Sequence, residues 1–317
     1  MAFNWAYIGS GSIAKNTARS IEKGEHGIVA VYSRTYSKAE AFAKKHGATA
    51  YRTFEEAVND ERVDGVYIAT PHTSHLEYAI KALEMKKPVL CEKPVGVSKK
   101  EAERMINTAK ENGVYFCEAM WTWFSDVALT VKKWIDEKRI GEIKSVVIDY
   151  SFPGLMMNKN SRVLTPETAG GGLLDVGIYP ITYCYRLFGM PKSISCSGEL
   201  KGGIDIKETV ILDYGSFKCK LNISLDKLKE GCKIEGAKGS ISIPMFHMAW
   251  KATLKSAGEK EIFRGKTDYL TEFSAVADEI RSGKTESEFI PFSSTLSCLE
   301  IIDECRKQLG LVYPFEK

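Results

Sequence analysis

Gly9, Gly11 and Ala14 fall in the run G-S-G-S-I-A, directly after the apolar residues 5–8. A strand, a glycine turn and an immediate helix, in that order, make a site for a dinucleotide pyrophosphate. Gly9 permits the tight turn, Gly11 lets the main chain approach the phosphates, and Ala14 is small enough for the helix to pack on the strand. The N–H groups that open the helix, around Ser12 and Ile13, then face the anion. A second position speaks to which dinucleotide is held. The apolar run 28–32 leads into Ser33-Arg34, where an NAD site places Asp or Glu to accept from the ribose 2′-hydroxyl. Arg34 is donor-only, and its planar fork suits a 2′-phosphate; Ser33 adds a hydroxyl and Lys38 a charge. NADP(H) is therefore expected over NAD(H), against the alternative that Arg34 stacks on adenine or points into solvent. Thr70, Pro71 and His72, after a further apolar run, are candidates to line the cofactor, with His75 as a structural histidine.

These residues need a scaffold. Up to about residue 120, strand-like runs at 5–8, 28–32, 66–69, 89–91 and 114–117 alternate with helical patterns at 12–23, 37–46, 74–85 and 98–112. That alternation predicts an α/β domain with a parallel sheet and helices on both faces, whose ligands sit at the carboxyl ends of the strands. The pattern then changes. A helix at 124–137 leads into a long strand at 143–152, a polar irregular segment at 153–168, and a glycine triplet that opens another helix. Strand-like runs follow at 194–200, 209–214, 217–225, 232–235 and 240–244, then helices at 269–282 and 295–309. Phe217, Cys219, Leu221, Ile223 and Leu225 alternate with polar residues, as in a half-exposed antiparallel strand. The expected second domain is α+β, with an open, mostly antiparallel sheet and helices on one face. The expected domains are 1–120 for the dinucleotide and 121–317 for substrate and dimerisation, the last helix packing back on the first.

A length of 317 residues suits two domains. The net charge of +3 comes without a basic stripe, which argues against a nucleic-acid partner. No apolar run is long enough to span a bilayer, and the N-terminus reads as a strand rather than a secretion signal. The eight cysteines are scattered without a C-x-x-C pair, so neither a disulfide framework nor a metal site is expected, and the usage fits a reducing cytoplasm.

Two further segments narrow the class: Cys91-Glu92-Lys93-Pro94 after a strand, and the run from Gly170 to Pro180, GGGLLDVGIYP. With the glycine turn they resemble the glucose–fructose oxidoreductase, inositol dehydrogenase and rhizopine-catabolism family, Gfo/Idh/MocA, along essentially the whole chain. LCEKPVGV at 90–97, EAMWTWF at 118–124 and GLVYP at 310–314 are similar to the branch of dimeric dihydrodiol dehydrogenases and NADP-dependent D-xylose dehydrogenases. The resemblance implies a Rossmann first domain and roles for Lys93, Asp175 and Tyr179. It also implies a Lys93-Pro94 bond that is often cis, a nicotinamide-ribose contact from Glu92, a pocket position for Trp121, and a homodimer through the outer face of the second sheet.

Residue chemistry agrees with these roles. Asp175 and Tyr179 are four apart, so on a helix they share a face. A hydride leaves a secondary alcohol only as its hydroxyl proton is taken. A phenol with a pKa of about 10 needs a cation such as Lys93 nearby to act as that base. Lys93 can equally hold the substrate oxygen as charge develops, and which of Lys93 and Tyr179 takes the proton stays open. Asp175 can orient the hydroxyl or Lys93. Phe152 and Arg162 are weaker candidates for substrate contact, and no metal is needed. The expected reaction is NADP-dependent hydride exchange with a sugar, polyol or cyclic diol. The alternatives are a dinucleotide sensor without turnover, and an enzyme that recycles tightly held NAD.

Overall fold

The computed structural model describes residues 2–156 and 161–316. The chain divides into two compact units, Met1–Trp121 with Asp268–Thr295, and Thr122–Thr267 with Leu296–Lys317.

The first unit runs β1 (Phe3–Ile8), α1 (Ser12–Ile21), β2 (His26–Tyr32), α2 (Tyr36–His46), β3 (Thr49–Tyr51), α3 (Phe54–Val58), β4 (Gly65–Ile68), α4 (His75–Glu84), β5 (Val89–Glu92), α5 (Lys99–Asn112) and β6 (Phe116–Ala119). The strands pair in parallel in the order β3-β2-β1-β4-β5-β6. β4, β5 and β6 are buried along their whole length, as strands covered on both faces must be. α1 buries Ala14, Thr17, Ala18 and Ile21, one stripe at helical spacing. The strand order reverses between β1 and β4, and ligands of such sheets bind at that crevice. The short β3 and α3 escaped the sequence reading; three strand residues and five helical ones carry too little periodicity.

The second unit contains α6 (Asp126–Asp136), β7 (Ile143–Ser151), α7 (Ile178–Phe188), β8 (Ser193–Lys201), β9 (Ile204–Asp213), β10 (Lys218–Ser224), β11 (Lys229–Gly236), β12 (Gly239–Ile243), β13 (Lys251–Ser256) and β14 (Glu259–Arg264). They form one sheet in the order β14-β13-β12-β11-β7-β10-β9-β8, antiparallel except for the pair β7–β10. The alternation expected at β10 is present, with Cys219, Leu221 and Ile223 buried and Lys218 and Lys220 exposed. One of its two neighbours is nevertheless parallel, because alternation reports which face is buried and not which way the partner runs. The hairpin β13–β14 was not anticipated. β14 is a charged, almost wholly exposed edge strand, and such edges lack an apolar signature.

The last two helices are α8 (Tyr269–Arg281) and α9 (Phe292–Leu309). α8 belongs to the first unit, where Leu270 N–H donates to Ser20 Oγ at 3.1 Å and Phe273 meets Trp5 edge-on with ring centroids 5.1 Å apart, and α9 starts in that unit and continues in the second. No helix of the described residues is long and apolar enough to cross a membrane. None of the eight cysteines forms a disulfide.

Candidate functional site

In the first unit the glycine turn, the end of β2 and the end of β4 enclose a cleft of about 320 Å³. Gly9, Gly11 and Ser12 form one wall, Ser33, Arg34 and Lys38 a second, and Thr70 and Pro71 a third. Gly9 has φ +109°, and a methyl carbon there would lie 2.5 Å from the Ala69 carbonyl oxygen, so only glycine lets β1 and β4 close on each other. At Gly11 the same carbon would meet no protein atom within 4 Å, so the space in front of this turn is open to a ligand. Gly11 at the N-cap of α1 has no side chain to cap it and no acidic residue lies in its first turn, leaving main-chain donors directed at that space. Lys15, Arg34 and Lys38 are on the cleft wall, and no Asp or Glu is among the described lining residues. The donor set therefore fits a pyrophosphate and a further phosphate. Ser10, Lys15, Tyr32 and Tyr78 also line the cleft and were not named from the sequence. Ser10 and Lys15 sit inside the glycine motif; Tyr78 comes from α4 and carries no local signal.

Ile13, His72, Glu92 and Lys93 are not on this wall. His72 is buried, its ring centroid 5.9 Å from that of His75. His75 is fully buried, with Nδ1 3.0 Å from the Pro94 carbonyl oxygen and Nε2 2.8 Å from that of Thr70. It thus joins the end of β4 to the turn after β5, where the Lys93-Pro94 bond is cis. Glu92, the last residue of β5, accepts from Tyr67 O–H at 2.5 Å and from the Lys93 amide at 3.2 Å. Lys93 is half-buried beside a second carboxyl. Burial pushes Glu118 up to about 7, while hydrogen bonds from Thr295 and the Val95 amide and the Lys93 ammonium hold it down. Glu272, fully buried near Glu92 and Glu118, is pushed well above the usual carboxylate range by burial first and by their charges second. Trp121 is buried against Tyr269, ring centroids 4.6 Å apart.

In the second unit the glycine triplet leads into a π-helical turn, Leu173–Gly177, and only then into α7. Asp175 lies in the π turn and Tyr179 in α7, so the uniform helix expected for the pair is interrupted between them. Such turns recur at functional sites. Asp175 is buried and accepts a charge-assisted hydrogen bond from Arg162 Nη2 at 2.7 Å. Tyr179 is buried and meets the His247 ring edge-on at 4.4 Å and the Tyr150 ring at 5.6 Å. Tyr150 and His247 were missed, since they come from β7 and from the turn after β12 and only packing unites them. Phe152 follows β7 and is 36% exposed. Residues 157–160 of the expected substrate loop lie outside the described residues. Tyr313, in the GLVYP segment, is fully buried and donates to the Gly170 carbonyl oxygen at 3.2 Å.

Comparison with known proteins matches this architecture. A family described as an oxidoreductase family with an NAD-binding Rossmann fold covers residues 3–119, and its GFO/IDH/MocA C-terminal domain covers residues 128–242. The chain is 32% identical over 342 aligned positions to trans-1,2-dihydrobenzene-1,2-diol dehydrogenase of Mus musculus, covering 100% of both chains. It is 33% identical over 302 positions to the scyllo-inositol 2-dehydrogenase (NADP(+)) IolU of Bacillus subtilis, covering 92% of each. Among solved structures, aldose–aldose oxidoreductase of Caulobacter crescentus in complex with glycerol has a TM-score of 0.89 at 19% identity, over 98% of each chain. The 3-ketoreductase KijD10 of Actinomadura kijaniata in complex with NADP has a TM-score of 0.82 at 21% identity, over 98% of each chain. The chain is thus an oxidoreductase of the Gfo/Idh/MocA family.

Proposed function

We propose that the protein is an NADP-dependent dehydrogenase that exchanges a hydride with a secondary alcohol of a sugar, polyol or cyclic diol. The observation that carries the cofactor choice is the cleft beside β2, which presents Lys15, Arg34 and Lys38 and no carboxylate among its described lining residues. A ribose 2′-hydroxyl would find no acceptor side chain of the usual kind there, whereas a 2′-phosphate finds cations. The residues that would hold NADP are Gly9, Gly11 and Ser12 at the pyrophosphate, and Ser33, Arg34 and Lys38 at the 2′-phosphate. The nicotinamide supplies hydride acceptance or donation. The substrate class follows from the relatives, a diol dehydrogenase and an inositol dehydrogenase.

The chain's own residues deal with the proton and the hydroxyls. Either Lys93 or Tyr179 takes up the hydroxyl proton, since removing it is what lets the hydride depart. Arg162 donates a charge-assisted hydrogen bond to Asp175, whose carboxyl would accept from a substrate hydroxyl. His247 and Tyr150 fix the Tyr179 ring by edge contacts, which sets where its oxygen points. The outer face of the eight-stranded sheet, where Val147, Lys220 and Lys233 are cross-strand neighbours, is the face proposed to pair with a second copy. Initial rates of the purified protein with NADP across aldoses, inositols and cyclic diols test the activity. Turnover with one of these classes is expected; no oxidation of any, and no carbonyl reduction with NADPH, would overturn it.

A further inference from the structure

A pair of buried carboxyls on β9 stands outside the site described above. Asp205 and Glu208 are 0% and 1% exposed, and the two carboxyls hydrogen-bond each other rather than solvent. Burial in a strand core disfavours such groups strongly, so their presence calls for a function. Their surroundings supply one. Asp205 Oδ2 accepts from the Leu173 main-chain N–H at 2.5 Å, and Leu173 is the first residue of the π-helical turn that holds Asp175. Gly172, the residue before that turn, provides no side-chain cap. Without Asp205 this buried N–H would lose its acceptor.

The glycines of the triplet fit the same arrangement. A methyl carbon on Gly171, whose φ is +133°, would lie 1.9 Å from Asp205 Oδ1, and one on Gly172 would lie 2.5 Å from Glu208 Oε2. The triplet is thus what allows two carboxyls to come up against the main chain. On its other side the triplet is held by Tyr313, through Gly170.

We propose that Asp205 is a positioning residue: it caps the π-helical turn from the neighbouring strand and so sets the aim of Asp175 and of Tyr179 beyond it. Glu208 stays protonated, pushed up to about 11 by burial and by the Asp205 charge, so the pair is not doubly charged near neutral pH. Burial raises Asp205 as well, while hydrogen bonds from the Leu173 amide and from Glu208 hold it down.

The inference rests on the reading of Asp175 and Tyr179 as substrate-facing residues. Its test is steady-state kinetics of the full-length protein with NADP and its active polyol, for Asp205→Leu, Asp205→Asn and Asp175→Asn together. Asp205→Leu keeps the volume and removes the acceptor; kcat is expected to fall at least tenfold while KM for NADP stays within twofold. Asp205→Asn keeps an oxygen acceptor for Leu173 N–H and should recover at least half of the wild-type kcat. A kcat within twofold of wild type for Asp205→Leu, or an Asn variant no better than the Leu variant, overturns the inference. If Asp175→Asn abolishes turnover while Asp205→Leu does not, only this inference falls. If Asp175→Asn is itself within twofold of wild type, the substrate-facing reading falls and the inference with it. Should Asp205→Leu not fold, Gly172→Ala takes its place, because its methyl group displaces the Glu208 carboxyl. A loss in kcat of at least fivefold supports the inference, and a smaller one overturns it.

Discussion

The dinucleotide cleft and the Asp175–Tyr179 region are built in different ways. Apart from Tyr78 of α4, the cleft is walled by residues of the segments β1–α1, β2–α2 and β4–Pro71, each within one short stretch of sequence. The Asp175 region is assembled from side chains far apart in sequence: Arg162 before the glycine triplet, Tyr150 on β7, Asp205 and Glu208 on β9, and His247 after β12. Asp175, Tyr179, Asp205 and Glu208 are buried, so each of them depends on a partner that packing delivers. A site made of main chain tolerates side-chain change until a charge or a Cβ enters it. A site made of buried side chains fails when one partner is lost.

The largest expected effect is at Lys93. Lys93→Ala should lower the single-turnover hydride-transfer rate by about 10³-fold, or about 4 kcal/mol of barrier, with NADP affinity within about threefold by calorimetry. A matching loss of NADP affinity would make Lys93 part of the cofactor cleft and blur the contrast between the regions. Next comes the buried Glu118. Its native-state value of about 7 lies above its ordinary 4.5, so between those two pH values the folded protein holds a proton the unfolded chain has released. Its contribution to stability is full below pH 4.5 and falls as pH rises towards 7, by on the order of 3 kcal/mol. Glu118→Gln retains an acceptor for the Val95 amide, and denaturant melts of the variant should show a shallower fall across that window. Slopes identical to wild type would show that Glu118 does not titrate there. The smallest effect is a control outside both regions. Thr53 and Glu56 cap α3 reciprocally at 3.2 and 3.1 Å. Thr53→Ala should cost about 1 kcal/mol of stability and leave kcat unchanged; a change in kcat would mean that the kinetic effects above report general destabilisation.

The same contrast decides what could be read from the sequence. Gly9, Gly11, Ser12, Ser33, Arg34, Lys38, Thr70 and Pro71, all candidates on sequence grounds, line one cleft. They were legible because strand, turn and helix are adjacent in sequence, so the motif is also the site. Arg162 and Asp175 were named separately, but the hydrogen bond between them was not. Asp205 and Glu208 went unnoticed because the expected strand began at residue 209. Extending its period-two alternation back from Leu212 and Val210 puts Glu208 on the buried face. His247 and Tyr78 had no local signal. The charged hairpin β13–β14 was lost because it has hardly any inward-facing apolar residues beyond Ala252 and Leu254 to betray it.

The proposed preference for NADP rests on the cations of the cleft beside β2. The most direct measurement is kcat/KM for NADP and for NAD, with the same polyol, in wild type and in Arg34→Asp. A wild type that prefers NADP by at least about tenfold, and a variant whose loss falls mainly on NADP, is the predicted result. Equal losses for the two cofactors, or a wild type that prefers NAD, would contradict it.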